Sequence, residues 1–203
     1  MPDNFLEQLG QISIIDWFAM VTGIVGVWLS IKEKLLAWPL FICCYASYIY
    51  ISYRSGLYAF SGMNAVFVGI AAYGWYNWAN ASRDTSDSGT QIAHMPARHW
   101  AKIAAFVALG TFAIGWLLSN TGEARLPYID AFATCCAFTA QWMLSQKYVE
   151  NWIFWIITDV IYTVFFFNDQ IWPSVILFIV FIFLAIKGWR EWRQVIRSNK
   201  PAS

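Results

Sequence analysis

Apolar positions cluster in seven runs of about twenty residues, each long enough to cross a hydrocarbon core of about 30 Å. They fall at 13–31, 35–54, 58–79, 100–118, 127–146, 149–168 and 172–192 and predict seven membrane-spanning helices. Pro127 and Pro173 stand in the opening turns of their runs, where a missing N–H costs little, and Pro39 lies near the start of the second. One long polar stretch, NASRDTSDSGTQIAHMPARH at 80–99, separates three runs from four. The opening MPDNFLEQLG lacks the basic region of a signal peptide, so the first run reads as a retained span.

The pattern also repeats. Sliding the chain by 114 residues lays the first three runs on the last three without a gap. Asp16 meets Asp130, Phe18 meets Phe132, Ala19 meets Ala133 and Tyr48 meets Tyr162. Trp28 meets Trp142, Trp38 meets Trp152, Gly74-Trp75 meets Gly188-Trp189, and Trp78 meets Trp192. Leu or Ile matches mean little in so apolar a chain, whereas tryptophan pairs at one constant offset mark a duplication. Three spans reverse direction, so the unmatched fourth restores it. The expectation is an all-α membrane protein of seven transmembrane helices in a 3+1+3 arrangement with parallel three-helix repeats. In that layout 13–79 is the first repeat, 80–99 a cytoplasmic loop, 100–118 the linking helix, 127–192 the second repeat and 193–203 a basic tail. Parallel repeats occur in transporters that rock two halves around a central site. A symmetric scaffold without transport is the plainer alternative.

Composition agrees. Hydrophobic residues make up 59% of the 203 and charged ones 12%, where a soluble domain has about a quarter charged. A net charge of +1, with no basic groove, gives no reason to expect nucleic acid. Lys32, Lys34, Arg83, Arg98, Lys102, Lys147, Lys187, Arg190, Arg193, Arg197 and Lys200 fall on one side of the predicted membrane, against Arg54 and Arg125 on the other. That bias puts the C-terminus in the cytoplasm and residues 1–12 outside. Cys43-Cys44 and Cys135-Cys136 sit in apolar runs away from His or acid partners, and read as small packing residues; no metal or other cofactor is expected.

The sixth run carries the chemistry. In ENWIFWIITDV, Trp152, Trp155 and Asp159 stand at i, i+3 and i+7, within about 60° of one helix face. Asp159 lies about ten residues into the span, about 15 Å deep and near the bilayer centre. A carboxylate there costs roughly 2.5–3.5 kcal/mol on insertion scales and marks a cavity or a partner. No base stands at its depth; Lys187 is closer to the end of its span. Two indoles and an acid suit a flat cationic or polar heteroaromatic ligand. An aromatic packing stripe, with Asp159 bonded to a neighbouring helix, is the other reading. The repeat adds an opposite wall of Trp38, Phe41 and Tyr45, the mates of Trp152, Trp155 and Asp159, aromatic and uncharged. Gln141 (matched by Val27) and Asn64 (matched by Phe178) break the symmetry as candidate hydrogen-bonding ligands. Asp16 and Asp130 read as helix-capping acids.

Rival classes lack their residues. A retinal-type receptor needs a lysine deep in the last span, and an intramembrane enzyme needs clustered catalytic groups. His94 and His99 lie in the loop instead, and no phosphate-binding glycine loop is present. A proton-coupled carrier stays open, since one buried acid can carry a proton as well as a ligand.

KYVENWIFWIITD at 147–159, with its Trp-x-x-Trp-x-x-x-Asp core, and YGWYNW at 73–78 resemble the PnuC family of bacterial vitamin transporters over about residues 13–192. The resemblance implies uptake of nicotinamide riboside across the inner membrane by facilitated diffusion, without ATP or an ion gradient. It further implies a cytoplasmic kinase that traps the imported riboside and a homotrimer with one pathway per protomer. Carried over by position, Trp152, Trp155 and Asp159 would bind substrate. Related branches take thiamine. Asp159 stands where nicotinamide riboside transporters often have Asn, and Ala71 where an amide is expected, which leaves either aromatic cation as substrate.

Overall fold

The computed structural model describes residues 5–81, 91–121 and 126–198. Arg83, Arg125, Lys200 and residues 82–90 of the polar stretch 80–99 lie outside them. Among the described residues eight helices follow in order: α1 (Phe5–Gln11), α2 (Ile14–Ile31), α3 (Ala37–Arg54), α4 (Tyr58–Ala81), α5 (Ala97–Thr121), α6 (Pro127–Ser145), α7 (Asn151–Asn168) and α8 (Trp172–Ser198). Helices α2 to α8 lie on the seven apolar runs. Helix α1 is an addition, held by Gln8, which donates to the Gln170 carbonyl and accepts from the Trp172 N–H. Helix α8 runs beyond residue 192 into the basic tail, because Val195 and Ile196 still reach the core.

Four helices, α2, α5, α7 and α8, are long and apolar enough by length and composition to cross a membrane. The others are more polar because their Tyr, Ser, Thr, Asn and Gln side chains turn inward: Ser52, Ser61, Asn64, Thr139 and Gln141 are all buried. Large apolar side chains face outward instead, with Leu109 at 71%, Phe112 at 66% and Phe183 at 68% exposure. An apolar exterior around a polar-dotted interior is the arrangement a hydrocarbon solvent favours.

Packing closes a ring. Helix α2 lies on α3, α3 on α4, α4 on α6, α6 on α7, α7 on α8, and α8 returns to α2. Helix α5 stands outside, against α6. Each run of three is locked by the same device at the 114-residue offset. Trp38 of α3 lies flat over Gly74 of α4, and Trp152 of α7 over Gly188 of α8, so that a Cβ at either glycine would collide with the indole. Each indole also packs edge to face with a second tryptophan: Trp38–Trp78 at 5.2 Å and 87°, Trp152–Trp192 at 5.4 Å and 84°. Edge-to-face contact suits the ring quadrupoles.

The turns repeat as well. Glu33 (φ 53°), Gly56 (φ 78°), Lys147 (φ 55°) and Gln170 (φ 57°) take left-handed conformations in two pairs at the same offset. Each follows a helix C-terminus, where the next N–H bonds back five residues: Lys34 to Leu29, Leu57 to Ser52, Tyr148 to Met143 and Ile171 to Phe166. These are Schellman caps, which favour glycine at the left-handed position. A side chain there costs about 1–2 kcal/mol. Glu33 and Lys147 bear that strain at one end of the bundle, called here the basic end because Lys32, Lys34 and Lys187 lie near it.

The interlock yields a prediction. Gly74→Ala and Gly188→Ala each push an indole off its seat. Each is expected to lower stability by about 1–3 kcal/mol, as overpacking does. Thermal unfolding of the detergent-solubilised variants, measured beside an outward-facing control such as Gly69→Ala, checks it.

Candidate functional site

The six-helix ring encloses a cavity of about 280 Å³, close to the lower end of ligand pockets, roughly 300–1,000 Å³. Trp155, Thr158 and Asp159 reach it from α7, Phe41, Cys44 and Tyr45 from α3, and Asn64 and Phe67 from α4. Small residues on α2 (Ala19 and Gly23) and on α6 (Ala137) leave the space open.

Asp159 is 3% exposed, and its carboxylate makes no hydrogen bond or ion pair among the described residues. Its backbone carbonyl accepts a bond from the Thr163 hydroxyl at 2.6 Å, one turn on, while the carboxylate opens on the cavity. The packing-stripe reading has Asp159 bonded to a neighbouring helix; no such bond is present among the described residues. Lys187 lies by Glu191 at the basic end, off the cavity. Asn64 gives its amide N–H to the Phe60 carbonyl at 2.9 Å, which leaves its oxygen for another donor. Across from Asp159 stands a stacked aromatic wall: Phe41–Tyr45 at 6.2 Å and 19°, Tyr45–Phe67 at 4.9 Å and 20°.

Six of the eight sequence-predicted residues, Phe41, Tyr45, Asn64, Trp152, Trp155 and Asp159, line this cavity. The other two do not. Trp38 is fully buried behind the wall, edge-on to Phe41 at 5.9 Å and seated on Gly74. Its position is set by the close approach of α3 and α4. Gln141 is 0% exposed, with both amide atoms unpartnered. It stands on the α6 stripe between Ala137 and Leu144, which line the cavity one turn to either side. A buried amide with no partner is costly and marks a place where a group can arrive.

Tyr48 and Tyr162 also line the cavity. Their match across the repeat was the available signal, hidden because both read as ordinary aromatic packing. Tyr162 donates to the Asp130 carboxylate at 3.2 Å, so Asp130 is a tyrosine partner and not the capping acid expected of it. Asp16 does cap: Ser13 and Asp16 form a reciprocal capping box at the start of α2. The α6 start has Leu126 at the cap position and no side-chain cap bond, which frees Asp130 for Tyr162. One unpaired carboxylate, the open amide oxygen of Asn64 and ring faces on both walls can hold a flat aromatic cation that also bears hydroxyls.

The chain is 22% identical to the riboflavin/roseoflavin transporter RibM of Streptomyces davaonensis, over 87% of this chain and 83% of that one. It is 22% identical to the nicotinamide riboside transporter PnuC of Escherichia coli (90% and 86% covered) and 24% identical to that of Neisseria mucosa (98% and 75%). The crystal structure of the vitamin B3 transporter PnuC superposes with a TM-score of 0.71 at 22% identity, covering 96% of this chain and 91% of that one. That likeness shows the fold. The family model described as nicotinamide mononucleotide transporter matches residues 13–194. The chain therefore belongs to that family, the PnuC transporters, and is a multi-pass membrane transporter and not an enzyme.

Proposed function

We propose that the protein carries nicotinamide riboside into the bacterial cell by facilitated diffusion across the inner membrane. One observation carries the reading: an unpaired carboxylate, Asp159, faces a stacked aromatic wall inside a closed ring of helices. Nicotinamide riboside joins a flat pyridinium, suited to Trp155 and Tyr45, to ribose hydroxyls that the amide of Asn64 can bind, with Gln141 one layer behind the cavity lining. Trp152 closes the same wall as Trp155, and Trp38 acts from behind by holding Phe41. Thiamine, also an aromatic cation, is the second reading and rests on the same carboxylate. The uncharged ring of riboflavin would leave Asp159 without a counter-charge, which weighs against the activity in the name of the equally distant Streptomyces relative.

In this proposal the chain is two parallel three-helix repeats, α2–α4 and α6–α8, related by a pseudo-two-fold along the membrane normal, with α5 as the linking helix. The Lys and Arg bias puts the basic end in the cytoplasm and the N-terminus outside. A cytoplasmic kinase phosphorylates the imported riboside and keeps the inward gradient standing. Three protomers assemble, each with its own pathway.

Uptake of radiolabelled nicotinamide riboside, thiamine and riboflavin into proteoliposomes separates the substrates, and entry of riboflavin alone overturns the cation reading. Asp159→Ala is expected to weaken the cationic substrate about 10- to 100-fold, the range for losing a charged hydrogen-bond partner, while the protein still inserts. Asp159→Asn separates charge from hydrogen bonding: retention of most affinity would move the selection to the rings and amides. Facilitated diffusion further requires that initial uptake stay unchanged when the pH gradient is collapsed. A severalfold fall in that assay would transfer the assignment to a proton-coupled carrier.

A further inference from the structure

We propose that Glu33 and Lys147 form a latch that closes the basic end of the cavity and opens once in each transport cycle. The inference rests on the transporter reading and goes beyond it, to the residues that gate the path. Glu33 and Lys147 are symmetry mates, 114 residues apart, and their side chains pair at 2.8 Å. Two points related by a two-fold can touch only where they meet the axis. The axis relating α2–α4 to α6–α8 runs through the middle of the six-helix ring, where the cavity lies. Ser30 on α2 and Leu144 on α6 line that cavity, and each stands three residues before one member of the pair. The ion pair therefore sits across the cavity mouth.

Three further observations separate it from an ordinary surface pair. The Lys147 side chain is 14% exposed, and its ammonium lies 4.9 Å from the centre of the Trp78 ring. Desolvation and the ring face both strengthen such a contact. Both residues occupy left-handed Schellman positions where glycine is easier. Stability alone would not put a charged side chain at either, and the two charges are opposite and matched. Finally, the duplication is broken around them. Residues 93–95 run across the α6–α7 turn, with Ala93 N–H bonded to Lys147 O at 3.2 Å and Val149 N–H to Ala93 O at 3.0 Å. Glu150 fastens this strap, accepting from the Met95 N–H at 2.9 Å and pairing with His94 Nδ1 at 2.8 Å. Among the described residues no such strap crosses the α2–α3 turn. Lys147 is thus held on a strapped turn, and Glu33 on a turn that, among the described residues, only the Trp192–Ile31 hydrogen bond and the Lys32–Glu191 bridge tie to α8. The exposed bridge Lys32–Glu191 at 2.9 Å joins the halves beside the latch, on the rim of the mouth.

The test reads access to the cavity and needs no substrate. Ser30, 1% exposed, is changed to Cys in a background where Cys43, Cys44, Cys135 and Cys136 are Ala. A membrane-impermeant maleimide is then applied from the basic end in inside-out vesicles. Glu33→Gln and Lys147→Gln are each expected to speed labelling on the order of tenfold, the change for losing a charged hydrogen bond. Glu33→Gly gives the same acceleration in a backbone that glycine relaxes, so misfolding does not mimic it. The exchanged pair Glu33→Lys/Lys147→Glu returns the slow parental rate. Labelling at the parental rate in the single variants overturns the latch, and so does an exchanged pair that stays fast. Failure of the liposomes to take up either vitamin would sink the transport reading and leave this result standing.

Discussion

The seating of an indole on a glycine is the contact on which the rest of the molecule depends. Trp38 on Gly74 and Trp152 on Gly188 bring α3 against α4 and α7 against α8 more closely than a Cβ would permit. In hydrocarbon, helices gain little by hiding apolar surface from one another, and close packing of large against small carries the association. Each pair then finds its edge-on tryptophan, Trp78 or Trp192, and the second of these anchors its N–H on the Ile31 carbonyl of α2 at 3.0 Å. The bond runs from one half of the ring to the other, so the interlock sets the placement of the halves as well as their interior.

Against this repeated frame, chemistry resides in the exceptions. Asp159 takes the place of Tyr45, Asn64 that of Phe178, and Gln141 that of Val27. Asp130 pairs with Tyr162, whereas Asp16 is committed to its own helix start. The strap from 93 to 95 clamps one turn of two. A two-fold cavity suits a two-fold ligand; an asymmetric one requires walls alike in shape and unlike in charge. The frame supplies the shape through tryptophan and glycine, and a few substitutions supply the difference.

Much of this was legible in the chain. The apolar runs located α2 to α8, of which α2, α5, α7 and α8 are long and apolar enough to cross a membrane, because a crossing helix needs about twenty apolar residues whatever its neighbours are. Tryptophan spacing at the 114-residue offset anticipated the matched tryptophan–glycine contacts, and Trp155 and Asp159 reach the cavity from one helix face as their spacing implied. Trp38 misled because helical phase tells which way a side chain points, but not whether an adjacent helix has a glycine to receive it. The mirrored role of Asp130 and Asp16 failed for a similar reason: the two sequences differ at the cap itself, Ser13 against Leu126, and a missing cap frees the acid for a distant tyrosine. Neither α1 nor the strap left a hydropathy signal. Both are short, and both are held by hydrogen bonds to turns far along the chain.

Electrostatics ties the cavity to the motion that transport requires. A ligand between Asp159 and Trp155 on one side and Phe41, Tyr45 and Asn64 on the other touches both halves at once. Its binding energy therefore depends on how far apart they stand, and a ligand shifts a conformational equilibrium only through such a difference. A carboxylate enclosed by apolar walls makes that dependence steep, since a counter-charge stabilises it strongly at contact and weakly across a widened gap. In the function proposed above, an aromatic cation would be both the cargo that satisfies Asp159 and the strut that sets the spacing of the walls. In that proposal the compensating charge arrives with the substrate and leaves with it, so this step requires no separate coupling ion.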